Sequence, residues 1–286
     1  TARADGADGR IADTMRRYLA EGVFQTVPDS FIYVERTLSD GRVRRGLVAA
    51  LDLEQYDFTG TQRTSVRSTE GTVEERLPPR VNIRRGAPLE MPHTLLLMDD
   101  RTDSVLSLAE KTKDTLEKVY DFDLMLGGGH IAGWRVSGET KAAVQSALDA
   151  LDNAALQREK YGDAAENGKL TFAVGDGNHS LAAAKRVWEE KRETLPENER
   201  ETDPARFALV EIENIHEPSL DFEPIHRVIF DTDTSAFAAE FTAHRTEWEA
   251  EDKTLGERVA AAESFCRAYI AAHGGYIDYI HGDDTA

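Results

Sequence analysis

One stretch, Lys169 to Lys191, restricts what this chain can fold into more than any other, because it reads as strand, tight turn and helix in immediate succession: KLTFAV, GDGNHS, LAAAKRVWEEK. Lys169 to Val174 is a short apolar run between Gly168 and Gly175, the pattern of a buried strand, while Ala182, Ala183, Val187 and Trp188 recur behind it at helical spacing. The chain must therefore pass from sheet to helix within a few residues. Gly175 and Gly177 supply backbone angles closed to other residues and let a ligand come close to the main chain. Asp176, Asn178 and Ser180 are residue types that cap helix starts, and the free N–H groups of a first helical turn, backed by the helix dipole, seat an anion. His179 falls at the mouth of that seat. An ordinary cap needs only one such side chain, whereas residues 176–180 crowd a carboxylate, an amide, an imidazole and a hydroxyl together, which adds a ligand site to the reading.

The rest of the chain supplies strands and helices in mixed order. Residues 1–9 are small, polar and glycine-rich, the composition of a disordered end or a cloning remnant, and Ile11 to Gly22 is a packing helix with Ile11, Met15, Tyr18 and Leu19 on one face. Ser30–Thr37 and Arg42–Leu51 form an antiparallel pair around the turn signal Asp40-Gly41. His93–Met98 is a buried strand closed by Asp99-Asp100, Ser104–Tyr120 is mostly helical, and Glu139–Leu156 is an amphipathic helix. Ala205–Ile215 and Ile225–Phe230 are strands, Ser235–Ala250 and Leu255–Ala272 are helices, and Tyr276–Ile280 is a short edge strand. The sum is an α+β (mixed α/β) protein, a mixed sheet with flanking helices rather than a doubly wound one. The expected organisation is an N-terminal α+β part over 10–160 with the hairpin and an arginine-rich loop, and a C-terminal part over 161–286 with GDGNHS, or the two as one continuous domain. No G-x-G-x-x-G or Walker A loop is present.

Three further segments bear on chemistry. Arg63, Arg67, Arg76, Arg80, Arg84 and Arg85 gather in a chain with 53 acidic and 34 basic residues and a net charge of −19. Positive charge against the global sign suits a nucleotide or acidic metabolite, since guanidinium groups grip phosphate and carboxylate oxygens as a fork; the competing account is a solvated face neutralised by Glu70, Glu74 and Glu75. Pro78-Pro79 breaks any helix, which makes the stretch a structured loop. Leu124–Val136 holds Gly127-Gly128-Gly129, a flexible hairpin or a close approach of backbone to ligand, followed by His130, Trp134 and Arg135; Trp134 stacks on a nucleotide base or sits in the core. His216, Glu217, Asp221 and Glu223 lack recurring metal-ligand spacing and read as an acidic surface loop. The net charge disfavours nucleic acid and anionic membranes as partners, no stretch approaches the apolar length of a membrane span, and no signal peptide opens the sequence, so the cytoplasm is expected. The single cysteine, Cys266, lies in a helical run and reads as a buried structural thiol.

GDGNHSLAAAK resembles the Asp-Gly-His-His-Arg type motif of the family catalogued as domain of unknown function 1015, and STEGTVEERLPPRVNIRRGAPLEMPH, GGGHIAGWRV and FEPIHRVIF are similar to further segments of it. The resemblance runs from about residue 20 to residue 230. It implies a ParB/sulfiredoxin-like portion around the strand-GDGNHS-helix unit and a relation to nucleotide-dependent free serine kinases. Asn178 stands where the motif has its first His and Ser180 where it has Arg, so the usual cationic phosphate contact is missing; a long N-terminal segment of the family is also not found, which implies a chain shortened at its start.

The resemblance implies a kinase of a small hydroxyl metabolite such as L-serine, using ADP or ATP with Mg²⁺. In that reading Gly175, Gly177, Asn178 and Ser180 hold the terminal phosphates, Asp176 takes the Mg²⁺, and His179 stands beside them. Arg67, Arg76 and Arg80 supply positive charge from the neighbouring segment, Trp134 meets the base, and Glu70, in a Glu-x-Thr-like segment, orients the acceptor hydroxyl. The alternative is a nucleotide- or metabolite-binding protein without turnover, since binding survives the loss of the motif's His and Arg more readily than catalysis does.

Overall fold

The hairpin signal at Asp40-Gly41 forms as read: β1 (Phe31–Thr37) and β2 (Val43–Asp52) are antiparallel, and the Leu38 N–H donates to Arg42 O across the turn. The computed structural model describes residues 7–59, 64–91, 93–220, 226–250 and 255–280, and the chain divides into two compact units between Leu220 and Asp221.

The first unit continues with β3 (Tyr56–Asp57), β4 (Val66–Arg67), β5 (Thr94–Met98), β6 (Glu117–Asp123), β7 (His130–Val136), β8 (Phe172–Asp176) and β9 (Phe207–Asn214). Its helices are α1 (Ala7–Ala20), α2 (Leu77–Gly86), α3 (Leu106–Thr112), α4 (Gly138–Leu151), α5 (Ala154–Tyr161) and α6 (Asn178–Thr194). Nine strands make one mixed sheet in the order β3-β4-β8-β5-β9-β2-β1-β7-β6, the mixed α and β architecture expected. The boundary drawn at residue 160 runs through this sheet, because β8 and β9 are inserted among strands from the first half of the chain.

Register decides which side chains make the core. Trp134, Tyr33, Leu47, Ile212, Leu96 and Val174 lie in one cross-strand row, and all are buried, against Leu106 and Ala109 of α3, Val144 and Leu148 of α4, and Leu181 and Trp188 of α6. Because side chains alternate across a strand, the neighbouring row of Arg135, Ile32, Val48, Glu211 and Leu95 lies on the opposite face. Each large side chain taken fully out of water, as Leu47, Leu96 and Leu181 are, contributes about 1.5–3 kcal/mol.

Several local expectations are corrected. Residues 7–9 belong to α1, and its buried contact is Ala12, while Ile11, Tyr18 and Leu19 are exposed. The reason is steric: Gly86 at the end of α2 lets the helices meet through small residues, a Cβ there lying 3.9 Å from that of Ala12. Pro78-Pro79 starts α2 instead of breaking a helix, since the first turn needs no N–H from either residue. Residues 117–120 are strand, captured by β7, and the helix before them stops at Thr112. The glycine triplet is the β6–β7 turn; Gly129, at φ +88°, passes so near β1 that a Cβ would lie 1.9 Å from Thr37 O, so backbone packing, not a ligand, demands it. The helix expected over 139–156 divides at Asn153, whose Oδ1 caps α5 by accepting from Ala155 and Leu156 N–H.

The second unit pairs β10 (His226–Phe230) with β11 (Tyr276–Ile280) as an antiparallel two-stranded sheet and adds α7 (Thr234–Ala250) and α8 (Leu255–His273). Phe237, Phe241, Phe265 and Tyr269 pack ring on ring between the helices, and Cys266 is half-buried, not fully buried. Among the described residues no helix is long and apolar enough to cross a membrane.

Candidate functional site

The strand-to-helix passage is made by one glycine. Gly177 is left-handed at φ +91° and is the N-cap of α6 with no side-chain capping bond; a Cβ there would stand 3.0 Å from Thr94 Oγ1. The side chains expected to cap do other things. Asp176 is exposed and its Oδ1 accepts from the Gly177 N–H at 2.7 Å. Asn178 is 5% exposed and turns away from solvent: its Oδ1 accepts from Ser68 Oγ (2.8 Å) and the Thr69 N–H (3.3 Å), and its Nδ2 donates to Thr69 Oγ1 (3.2 Å). The first rung of α6 is Leu181 N–H to Gly177 O at 2.9 Å, so the N–H groups of Asn178, His179 and Ser180 lie outside the helix ladder.

These bonds carry a distant segment to the helix start. β4 runs parallel to β8, and beyond it the Thr69 hydroxyl donates to Val174 O at 2.6 Å. The Val73 N–H then donates to His179 Nε2 at 3.2 Å, and Glu70 Oε1 lies 3.5 Å from His179 Nδ1. With Nε2 acting as acceptor, the ring proton belongs on Nδ1, facing the Glu70 carboxylate. Glu70 and His179 are thus brought together at the first turn of α6, but His179 and Asn178 are engaged in holding residues 68–73.

The arginines divide by role. Arg63 lies outside the described residues. Arg67 braces the strand end, donating to Thr64 O (2.7 Å) and Lys169 O (3.2 Å). Arg85 grips Glu190 at 2.8–3.0 Å, and Arg84 pairs with Glu90 while burial pulls its guanidinium down to about 10. Arg76, the N-cap of α2, and Arg80, one turn into it, are exposed, with Arg80 Nη1 donating to Arg76 O at 2.9 Å. Arg80 shares with Ser180, Ala183, Met15, Leu89 and Met91 the lining of a cavity of ≈ 350 Å³. Trp134 is corrected from ligand contact to core: it is 8% exposed, packs 5.8 Å from the Tyr33 ring, and carries Lys113 and Lys118 over its face. Glu217 is buried against Arg45 rather than in a surface loop, and His216 bonds Asp99 at 2.7 Å; Asp221 and Glu223 lie outside the described residues. Among the described residues no three His, Cys, Asp or Glu side chains are grouped to hold a metal ion.

Sequence reading missed a second polar cluster, on the face opposite the core. Glu211 and Glu213 of β9 are 3% and 0% exposed; His93, just before β5, bonds Glu211, and Arg44 Nε lies 2.8 Å from Glu213 Oε1. Gly46 makes room for it, since a Cβ there would meet Glu211 Oε1 at 2.3 Å. Burial, with Glu211 beside it, pushes the Glu213 carboxyl up to about 7 against the pull of Arg44, and the bond to Glu211 raises His93. The alternation Leu209, Glu211, Glu213 against Val210, Ile212 was the available signal, and it shows a polar face without showing that the face is buried.

No curated protein and no solved structure matches the chain. A family model described as protein of unknown function (DUF1015) matches residues 3–271, nearly the whole length, and the chain belongs to that family.

Proposed function

We propose that this protein binds ADP or ATP by its terminal phosphates at the start of α6 and transfers a phosphoryl group to a small hydroxyl metabolite such as L-serine. One observation carries the reading: residues 68–73 are bonded onto the first turn of α6 so that Glu70 stands beside His179 while Asp176 and three backbone N–H groups stay outside the helix ladder. The N–H groups and helix dipole suit phosphate oxygens, and Arg80, which shares a cavity lining with Ser180, adds a cation from α2. Mg²⁺ binds through one or two carboxylates with phosphates and water completing its shell, so the exposed Asp176 would hold it, and the ion would supply neutralisation of charge on the phosphates. Glu70, oriented by the Nδ1–H of His179, accepts a hydrogen bond from the acceptor molecule. The relation to nucleotide-dependent serine kinases and to their ParB/sulfiredoxin-like fold, implied by the GDGNHS segment, points the same way.

A second reading, binding without turnover, is favoured by the engagement of Asn178 and His179 in structural bonds. Thermal melting with ADP, ATP, CTP and L-serine, followed by phosphate-transfer assays, separates the two. A shift with transfer supports the kinase and a shift alone supports the binding module. Asp176→Asn keeps the oxygen that accepts from Gly177, so its unliganded melting stays close to wild type while nucleotide affinity falls about 100-fold, the loss of a charge-assisted contact. Equal nucleotide-induced shifts in wild type and Asp176→Asn overturn the site.

A further inference from the structure

We propose that His93, held by Glu211 and backed by Glu213, is the base that accepts the proton of the acceptor hydroxyl, a role that rests on the phosphoryl-transfer reading above.

Position is the first argument. A Cβ on Gly177 would stand 3.2 Å from Thr94 Cα, and His93 is the next residue, so the path from Gly177 to His93 is no longer than about 9 Å. Asp176 and Glu211 both pair with Leu95, which sets their backbones two strand spacings, about 10 Å, apart. An acceptor seated against phosphates at the Gly177 turn therefore lies between Asp176 and His93.

Chemistry is the second. The His93 side chain is 49% exposed and so open to a bound molecule, whereas Glu211 behind it is 4% exposed. A carboxylate only accepts, so the bond to Glu211 uses the Nε2–H of His93 and leaves the Nδ1 lone pair to receive a proton; Glu211 fixes the tautomer as the carboxylate of a catalytic triad does. Glu213 is buried, which raises its carboxyl, and Glu211 beside it raises it further by charge and by a side-chain hydrogen bond, while Arg44 offsets their charge from 2.8 Å and 3.7 Å. Two carboxylates buried side by side are costly, and sites of proton transfer are where such cost is retained. In the step itself the acceptor oxygen attacks the terminal phosphorus and its proton passes to His93 Nδ1. The bond from phosphorus to the bridging oxygen breaks, and the departing nucleotide keeps that electron pair. Glu70, on the other side of the turn, binds the acceptor through its remaining polar groups.

The test compares His93→Gln, His93→Ala and Glu70→Gln with wild type, using ATP, Mg²⁺ and L-serine and the same assay with ADP. His93→Gln is expected to lower kcat about 100-fold or more, within the usual contribution of a general base, with the ATP-induced melting shift kept. Glu70→Gln should act mainly on KM for the acceptor, and imidazole added to His93→Ala should restore part of the rate, which a structural role does not predict. Wild-type turnover in His93→Gln, or no rescue of an inactive but folded His93→Ala, overturns the base alone. No transfer by wild type with any pair removes the phosphoryl-transfer reading and the base with it.

Discussion

Replacing Asn178 by Ala separates a structural clamp from a ligand contact. The side chain is 5% exposed and makes three bonds to residues 68 and 69 across more than a hundred positions of sequence. After truncation the Ser68 hydroxyl still has Glu70 O at 2.6 Å and the Thr69 hydroxyl still donates to Val174 O, so the group left without a partner is the Thr69 N–H. Thr69 is exposed, so water takes up its N–H, and the expected cost is that of the lost Asn bonds, about 1–2 kcal/mol. For a unit of this size that is a fall in Tm of about 2–8 °C. Asn178→Asp keeps both acceptor interactions, places its charge at the positive end of α6, and should cost about 1 kcal/mol or less. Urea unfolding followed by tryptophan fluorescence reads both, since Trp188 is buried on α6 itself. A loss below about 0.5 kcal/mol in Asn178→Ala, together with an abolished nucleotide response, would refute the clamp and return Asn178 to the ligand.

Gly177→Ala should cost about 1–3 kcal/mol, because it forces a side chain into φ +91° with its Cβ 3.0 Å from Thr94 Oγ1; melting at wild-type temperature would show that the turn relaxes freely. His179→Ala should cost about 1 kcal/mol through the Val73 N–H and raise protease sensitivity near residues 70–73, and an unchanged cleavage pattern counts against the tether. Stability should also depend on Glu213. Between 4.5 and about 7 the folded state holds this proton and the unfolded chain does not, so the contribution is intact below 4.5 and lost as pH rises through about 7. His93, raised above 6.5, has the same sign and loses its contribution as pH rises through its folded value. Glu213→Gln should remove a fall of about 3 kcal/mol between pH 5 and pH 8, measured by urea unfolding, and an identical slope in the variant would contradict it.

The sequence by itself determined the elements whose signals are local. The β1–β2 hairpin follows from Asp40-Gly41 between β-rich runs, and the β8–α6 passage follows from an apolar run, two glycines and a helical repeat, because these depend on backbone angles and side-chain period alone. Glu70 and His179 were legible as candidates from residue type and motif. Their meeting was not, because it depends on the parallel pairing of β4 with β8, a long-range choice that no local pattern encodes. Tertiary structure alone decided that Asn178 points inward, that Trp134 is core, and that Pro78-Pro79 begins a helix, since each depends on what stands opposite. The same holds for Glu211 and Glu213: alternation along β9 places two carboxylates on one face, but only the burial of that face against Arg44 and His93 turns them from an ordinary polar edge into a coupled acidic pair.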